Sequence, residues 1–284
     1  MSTKFQKVFA PFPSNYELID AGGGKKLERF GDIILIRPEV QAYFKSENTF
    51  LEWNKIAHAE YVEKDTKKGT WHFLQNNVPE KWQINLGELL INLEFSQFKH
   101  IGIFPEQALN WNLISEKIHA DDSFLNLFAY TGVASLYARN KGAQVTHVDS
   151  VKQLISHSKL NMESSNLSDI KWVHEDALKF AQKEVRREKK YKGIIMDPPA
   201  FGLGTKGEKW ILDQKLPELL QAAAELLDNK GFLIVNTYSP KVSAENLYDL
   251  ANSIFVSKKI KVEELWMKST SNKNLYFGNI LSVY

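Results

Sequence analysis

The chain has 284 residues, of which 43% are apolar and 25% charged, with a formal net charge of +2. This is the balance of an ordinary globular protein with material for one large or two medium domains, and it argues against a broad polyanion-binding surface. Cysteine is absent, which excludes disulfides, thiolate metal sites and cysteine nucleophiles. No run approaches ~18 apolar residues, so no membrane span is expected. Met1-Ser2-Thr3-Lys4-Phe5 lacks the apolar core of a signal peptide, so the expected location is cytoplasmic.

Taken in chain order, residues 1–104 alternate short strand patterns with turns. Tyr16–Asp20 leads into the turn Ala21-Gly22-Gly23-Gly24, and Lys26–Phe30 and Ile33–Ile36 resume the pattern before Pro38. Thr70–Leu74, Lys81–Ile84 and Leu89–Leu93 read the same way. The expectation is a small, mostly antiparallel domain rich in aromatic residues. Pro105 then suits the first turn of a helix over 106–118. Strand patterns follow at 124–128, 144–148, 170–173, 193–196, 232–236, 260–265 and 275–282. Helical patterns lie near 133–140, 151–165, 176–189, 213–228 and 243–256. This alternation predicts an α/β fold, a Rossmann-like seven-stranded and mostly parallel sheet with helices on both faces. The short turn at 269–274 makes the last strand pair antiparallel. The expected division is an N-terminal β-rich (α+β) domain over 1–104, with a substrate-recognition role open to it, and a catalytic domain over 105–284.

Ligands of a doubly wound sheet bind beyond the carboxyl ends of its strands, and four features fall there. In Phe128-Ala129-Tyr130-Thr131-Gly132, the glycine permits a sharp turn and close backbone approach, with Thr131 able to cap the next helix. An ordinary strand–helix turn is the plainer alternative. Asp149, followed by Ser150, suits a ribose diol or the cap of the next helix. Asp176-Ala177 suits an exocyclic amine or, equally, a helix cap. The fourth feature is Asp197-Pro198-Pro199-Ala200-Phe201. The first turn lacks the G-x-G-x-x-G that admits a pyrophosphate, which disfavours a nicotinamide dinucleotide and favours a methyl donor.

At the fourth feature, Asp197 can accept an N–H of a planar acceptor and the Pro198 carbonyl a second, with Pro198 and Pro199 holding the loop stiff. Phe201 can stack on the acceptor ring. The alternative is a Pro-Pro strand end with Phe201 in the core. Downstream, Gly202–Trp210 is glycine-rich and basic, either a lid or a plain surface loop, with Lys206 and Lys209 as candidate phosphate contacts. The cationic run Lys183–Lys192 reads as a solvated helix end or as a phosphate patch. The histidines are scattered without ligand spacing, so no metal is expected. Trp53, Trp71, Trp82 and Trp111 are expected in the core or at its junctions, with a base-stacking face as the alternative.

The motifs Asn126–Gly132, Val148-Asp149, Asp176 and Asp197–Phe201 resemble those of class I S-adenosylmethionine-dependent methyltransferases. The branch they resemble most is the bacterial large-subunit ribosomal RNA methyltransferases. His100–Gln107 is similar to that branch's entry into the catalytic domain, and Asn48–Trp53 and Ala57–Tyr61 resemble one of its subgroups. The resemblance implies that loop 128–132 lies along the methionine moiety, that Asp149 holds the ribose and Asp176 the adenine edge, and that Gln107 closes the pocket. It implies ribosomal RNA as the partner. No copy of the RNA-binding domain that many relatives carry at the N-terminus is legible. Relatives that methylate pyrimidine C5 use a cysteine after the following strand, where Asn236-Thr237-Tyr238-Ser239-Pro240 stands here. A base nitrogen in RNA is therefore the expected acceptor. A protein or small-molecule acceptor, or a non-catalytic RNA-binding accessory protein, are the competing expectations, and the oligomeric state is open.

Overall fold

The computed structural model describes residues 5–64, 69–203 and 209–284. The chain forms two compact units. One contains the residues up to Val8, Asn110–Leu265 and Gly278–Tyr284; the other contains Phe9–Leu109 and Trp266–Phe277. The main cut thus falls after Leu109 rather than at 104/105, and part of the last hairpin joins the amino-terminal unit.

Strand β1 (Gln6–Phe9) lies almost wholly in the first of these units; the amino-terminal unit then runs β2 (Tyr16–Gly22), β3 (Lys25–Phe30), β4 (Ile33–Pro38), α1 (Phe50–Ile56), β5 (Ala59–Glu63) and β6 (Gly69–Phe73). A separate hairpin is made by β7 (Lys81–Leu86) and β8 (Leu89–Glu94). Strands β2 to β6 form one sheet in chain order, antiparallel except for the β4–β5 pair. Helix α1 begins at a capping box in which Thr49 and Glu52 satisfy each other's backbone N–H groups. Helix α1 ends at Ile56, two residues before His58. His58 instead accepts the Ile34 N–H on Nδ1 at 3.0 Å, and strand β5, unforeseen from sequence, starts beside it.

Buried charge organises this unit. The Glu28 carboxylate accepts from Arg37 Nε (2.7 Å) and Nη2 (2.9 Å) and from the Tyr16 hydroxyl (2.9 Å). Burial alone would raise its pKa, but Arg37 and Lys26 overcome that and hold it at about 2. Asp20, also buried, accepts from Trp53 Nε1, Asn48 N and Ser271 Oγ. The last of these bonds explains why the tip of the final hairpin belongs to this unit.

The other unit is built from α2 (Ala108–Lys117), β9 (Ser123–Leu127), α3 (Val133–Asn140), β10 (Gln144–Asp149), α4 (Lys152–Ser164), β11 (Ile170–His174), α5 (Ala177–Arg186) and β12 (Tyr191–Met196). A short hairpin of β13 (Phe201–Leu203) and β14 (Lys209–Ile211) follows, then α6 (Leu212–Leu226), β15 (Leu227–Thr237), α7 (Ala244–Ile254), β16 (Ile260–Lys268) and β17 (Asn274–Val283). All seven expected sheet strands form. An eighth, β1, adds to the edge, giving the order β1-β16-β17-β15-β12-β9-β10-β11. Strands β11, β10, β9, β12 and β15 run parallel, and β17 is antiparallel to β15.

Alternation along the strands sends Leu125, Ile194 and Leu233 to one face, where they pack with Phe180, Leu219, Leu220 and Leu247 from α5, α6 and α7. On the other face Gly193 leaves room for Phe124, Phe232 and Ile118, which a Cβ there would approach to within 2.7–2.9 Å. Parallel strands buried on both faces read as continuous apolar runs, which is why this half of the chain is legible.

The cationic run resolves mainly as structure. Lys183 pairs with Glu175, Arg187 with Glu184, Lys190 with the Glu225 carbonyl and Lys192 with the Lys230 carbonyl. Trp53 and Trp111 are buried, as expected, whereas Trp71 and Trp82 are half-buried with their indole N–H groups on backbone carbonyls. Among the described residues no helix is long and apolar enough to cross a membrane, and no group of three or more His, Asp or Glu is arranged to hold a metal.

Candidate active site

The site is fixed by strand register. Leu127 of β9 lies opposite Met196 of β12 in adjacent parallel strands. The next residue in each chain segment, Phe128 in one and Asp197 in the other, therefore leaves the sheet at the same edge and on neighbouring strands, whose spacing is ~4.8 Å. Val148, just before Asp149, is opposite Leu127 on the other side. Three of the predicted features thus meet at one end of the sheet.

The turn after β9 is strained. Phe128 (φ +57°), Tyr130 (φ +52°) and Gly132 (φ +85°) all occupy the left-handed region within five residues. For a residue with a Cβ this costs roughly 1–2 kcal/mol, and such cost persists only where neighbours over-determine it. The neighbours are identifiable. Tyr130 N–H donates to Asp149 Oδ2 at 2.8 Å, and Ser158 Oγ donates to the Tyr130 carbonyl at 2.9 Å. Asn161 Nδ2 donates to the Thr131 carbonyl at 3.0 Å. Under the turn, Asn126 Nδ2 meets Ser135 Oγ (3.0 Å), and Ser135 Oγ meets His147 Nδ1 (3.1 Å). Burial pushes the His147 pKa down to about 3, so its ring is neutral at physiological pH. A Cβ on Gly132 would lie 3.0 Å from Ser158 Cβ and 3.2 Å from His147 Cε1, tight enough to disturb both. Gly132, not Thr131, occupies the cap position of α3, and Thr131 is buried.

Asp149 ends β10 and is buried. Its Oδ1 accepts the Val151 N–H and its Oδ2 the Tyr130 N–H, both at 2.8 Å. Burial raises its pKa, while these backbone donors pull it back. These donors, with the Ser150 N–H as a further one, fix the plane of the carboxylate at the strand end. Ser150 follows, its carbonyl facing His174 Nε2 at 3.0 Å. Asp176 caps α5, accepting the Lys179 N–H at 2.9 Å, with Ala177 buried behind it. The capping alternative is therefore present at Asp176, whereas the cap position of α4 is Val151 rather than Asp149. Gln107 lies on a buried 3-10 turn, Pro105–Gln107, in the amino-terminal unit.

At the neighbouring strand end, Asp197 is half-buried, and burial pushes its pKa up to about 6. Pro198 is buried, while Pro199, Ala200 and Phe201 are exposed, Phe201 by 52%. The core alternative for Phe201 thus does not hold. Phe201 instead opens the β13–β14 hairpin, pairing with Ile211. Lys209 lies on β14 and is exposed; Lys206 and the rest of the expected lid, 204–208, lie outside the described residues. Beside the loop, Asn236 at the end of β15 accepts from Asn110 Nδ2 of α2 at 3.0 Å.

Several residues at the site escaped the sequence reading. Trp210 of β14 is buried and donates its indole N–H to the Pro199 carbonyl at 2.7 Å, while its ring packs on Phe128 at 4.8 Å between centroids. Ser135, His147, Ser158 and Asn161 support the turn from separate elements, and only their fold brings them together. A single signal was readable: polar residues at positions that helical and strand periodicity assign to the interior.

Comparisons with known proteins give the family and the fold. The family model for S-adenosylmethionine-dependent methyltransferases matches residues 57–262. A ribosomal RNA large subunit methyltransferase K/L from Methylococcus capsulatus is 28% identical over 202 residues, covering 68% of this chain and 24% of the relative. The chain spans about a quarter of the length of the curated relatives it matches. The crystal structure of an S-adenosylmethionine-dependent methyltransferase from Agrobacterium tumefaciens superposes with a TM-score of 0.89 at 32% identity, covering 100% of this chain and 99% of that one. The structure of SMU.776 complexed with SAH gives a TM-score of 0.77 at 19% identity, covering 96% of this chain and 76% of that one, a likeness of fold alone. With a family model spanning most of its length and the strained turn and proline loop meeting at one sheet edge, the chain belongs to the S-adenosylmethionine-dependent methyltransferases.

Proposed function

We propose that the protein methylates a base nitrogen in RNA, with ribosomal RNA as the substrate class. The observation that carries this reading is the register of Leu127 with Met196, which sends the donor turn and the acceptor loop out of the same sheet edge. The donor set fits S-adenosylmethionine: a turn without a pyrophosphate cradle, a buried carboxylate at Asp149 oriented by backbone donors, and Asp176 just beyond the end of the next strand. S-adenosylmethionine would supply a methyl group already activated on a sulfonium. In this reading Phe128, Ala129, Tyr130, Thr131 and Gly132 line the methionine portion. Asp149 and Ser150 face the ribose, and Asp176 and Ala177 face the adenine. Gln107 is assigned to the cofactor by family resemblance.

The protein's share of the chemistry is positioning. Alignment of a nucleophile with an activated donor can supply roughly 7–11 kcal/mol. Asp197 and the Pro198 carbonyl accept N–H groups of the acceptor and orient its lone pair, Pro199 keeps the loop stiff, and the exposed Phe201 offers a ring face for stacking. With no cysteine in the chain, the thiolate addition that activates pyrimidine C5 is closed, so nitrogen is the acceptor the residues support. The RNA part of the proposal draws on the relatives' names, which include ribosomal RNA large subunit methyltransferases.

The test is calorimetric binding of S-adenosylmethionine, followed by tritium transfer to RNA from a strain lacking the gene. The expected result is label in ribosomal RNA that digests to an N-methylated nucleoside. Label in protein, or none in any RNA fraction, overturns the substrate assignment.

A further inference from the structure

We propose that Trp210 is a positioning residue that couples the donor turn to the acceptor loop. This rests on the reading of those two loops given above. Trp210 touches both. Its indole N–H donates to the Pro199 carbonyl at 2.7 Å, a short, well-formed bond. Its ring packs against Phe128 at 4.8 Å with the planes inclined at 56°. Phe128 is the first left-handed residue of the donor turn, with φ +57°. Pro199 is the second proline of the acceptor loop.

The rest of the hairpin holds Trp210 in place. Trp210 is opposite Gly202 in the β13–β14 pair, so the strand leaving the acceptor loop folds back and places the indole beneath it. Leu212 N–H donates to the Ala200 carbonyl at 3.1 Å, closing the hairpin base. The indole itself is buried and belongs to the main apolar cluster of the sheet. A rigid aromatic with its one donor satisfied is a stiff strut. Two prolines restrict φ but leave the carbonyl direction of Pro199 to be set from outside, and Trp210 sets it. The orientation of the neighbouring Pro198 carbonyl and Asp197 follows through the chain.

The consequence is a specific division of labour. Removing the N–H while keeping a ring should leave the donor turn packed and release the acceptor loop. Trp210→Phe is that change. S-adenosylhomocysteine affinity should stay within about threefold of the wild type, because the indole N–H faces the acceptor side. Turnover on RNA, expressed per active site counted by S-adenosylhomocysteine titration so that any loss of folded protein drops out, should fall at least tenfold with little change in KM, since misalignment acts on the chemical step.

The experiment has two arms. In the first, the full chain is labelled with 15N-tryptophan, and Trp210→Phe identifies the Trp210 indole signal by its disappearance. Titration with S-adenosylhomocysteine should move that signal with the same affinity that calorimetry gives. In the second, kcat and KM are compared for wild type and Trp210→Phe on RNA from a strain lacking the gene. An indole signal unmoved at saturating S-adenosylhomocysteine, or wild-type kcat in Trp210→Phe, overturns the coupling. If the wild type methylates no RNA, the substrate assignment fails separately, and the first arm still decides the role of Trp210.

Discussion

Asp197 is the residue for which function and stability should pull in opposite directions, and Asp197→Asn measures that conflict. Burial raises its pKa from 3.8 to about 6 in the folded state. Between those values the folded chain holds a proton that the unfolded chain has released. This carboxyl's contribution to stability is therefore fully present below pH ~4 and is lost as pH rises through the folded pKa. The shift is about two units, and at ~1.4 kcal/mol per unit the loss at neutral pH is about 3 kcal/mol, less whatever partial exposure screens. Asparagine keeps the shape and carries no charge. Asp197→Asn should thus match the wild type at pH 4 and be more stable by ~2–3 kcal/mol at pH 8, read from urea denaturation midpoints across that range. The same variant should bind S-adenosylmethionine and transfer no methyl group. In the wild type, kcat/KM should rise with pH through about 6, because the carboxylate is the form that accepts an N–H. A stability difference that does not change between pH 4 and 8, or a less stable variant at pH 8, would refute the burial argument.

Other changes probe the supports of the site. His147, held near pKa 3 by burial, has the opposite sign: the unfolded chain takes up a proton first, so its contribution is lost as pH falls below ~6.5. His147→Gln should flatten the acid limb of the stability profile, and an unchanged slope between pH 6.5 and 4 would contradict this. Gly132→Ala should cost ~1–2 kcal/mol from its left-handed φ and weaken cofactor binding through Ser158 and His147, by denaturation and calorimetry; retention of both would show the turn to be tolerant. Glu28→Gln leaves Arg37 buried without its carboxylate and should destabilise the amino-terminal unit by ~3 kcal/mol, measured as protection in hydrogen exchange of β3 and β4.

The sheet unit was legible because its parallel strands are short apolar runs separated by helices of the expected length. The register of these strands then followed, and with it the meeting of Phe128 with Asp197. The carboxylates at Asp149 and Asp176 were visible as residues, but their hydrogen bonds were not, because backbone N–H partners are set by the turn. What the sequence hid was long-range. Trp210 reads as one more aromatic in a glycine-rich stretch until the hairpin folds it back onto Pro199. His147 looks like an isolated strand histidine, since Ser135 and Ser158 reach it from two helices. Strand β1 is too short and too polar to announce itself; Gln6–Phe9 forms only by adding to an existing edge. The division of the last hairpin between units depends on Asp20 and Ser271, which are separated by 251 positions.

The most direct measurement of the central claim is a crystal structure of the protein with S-adenosylhomocysteine. The account predicts the ribose hydroxyls on Asp149, the amino-acid portion against Phe128–Gly132, and the sulfur directed toward Asp197 and the Pro198 carbonyl. A ligand bound at another edge of the sheet, or a sulfur turned away from the proline loop, would contradict it.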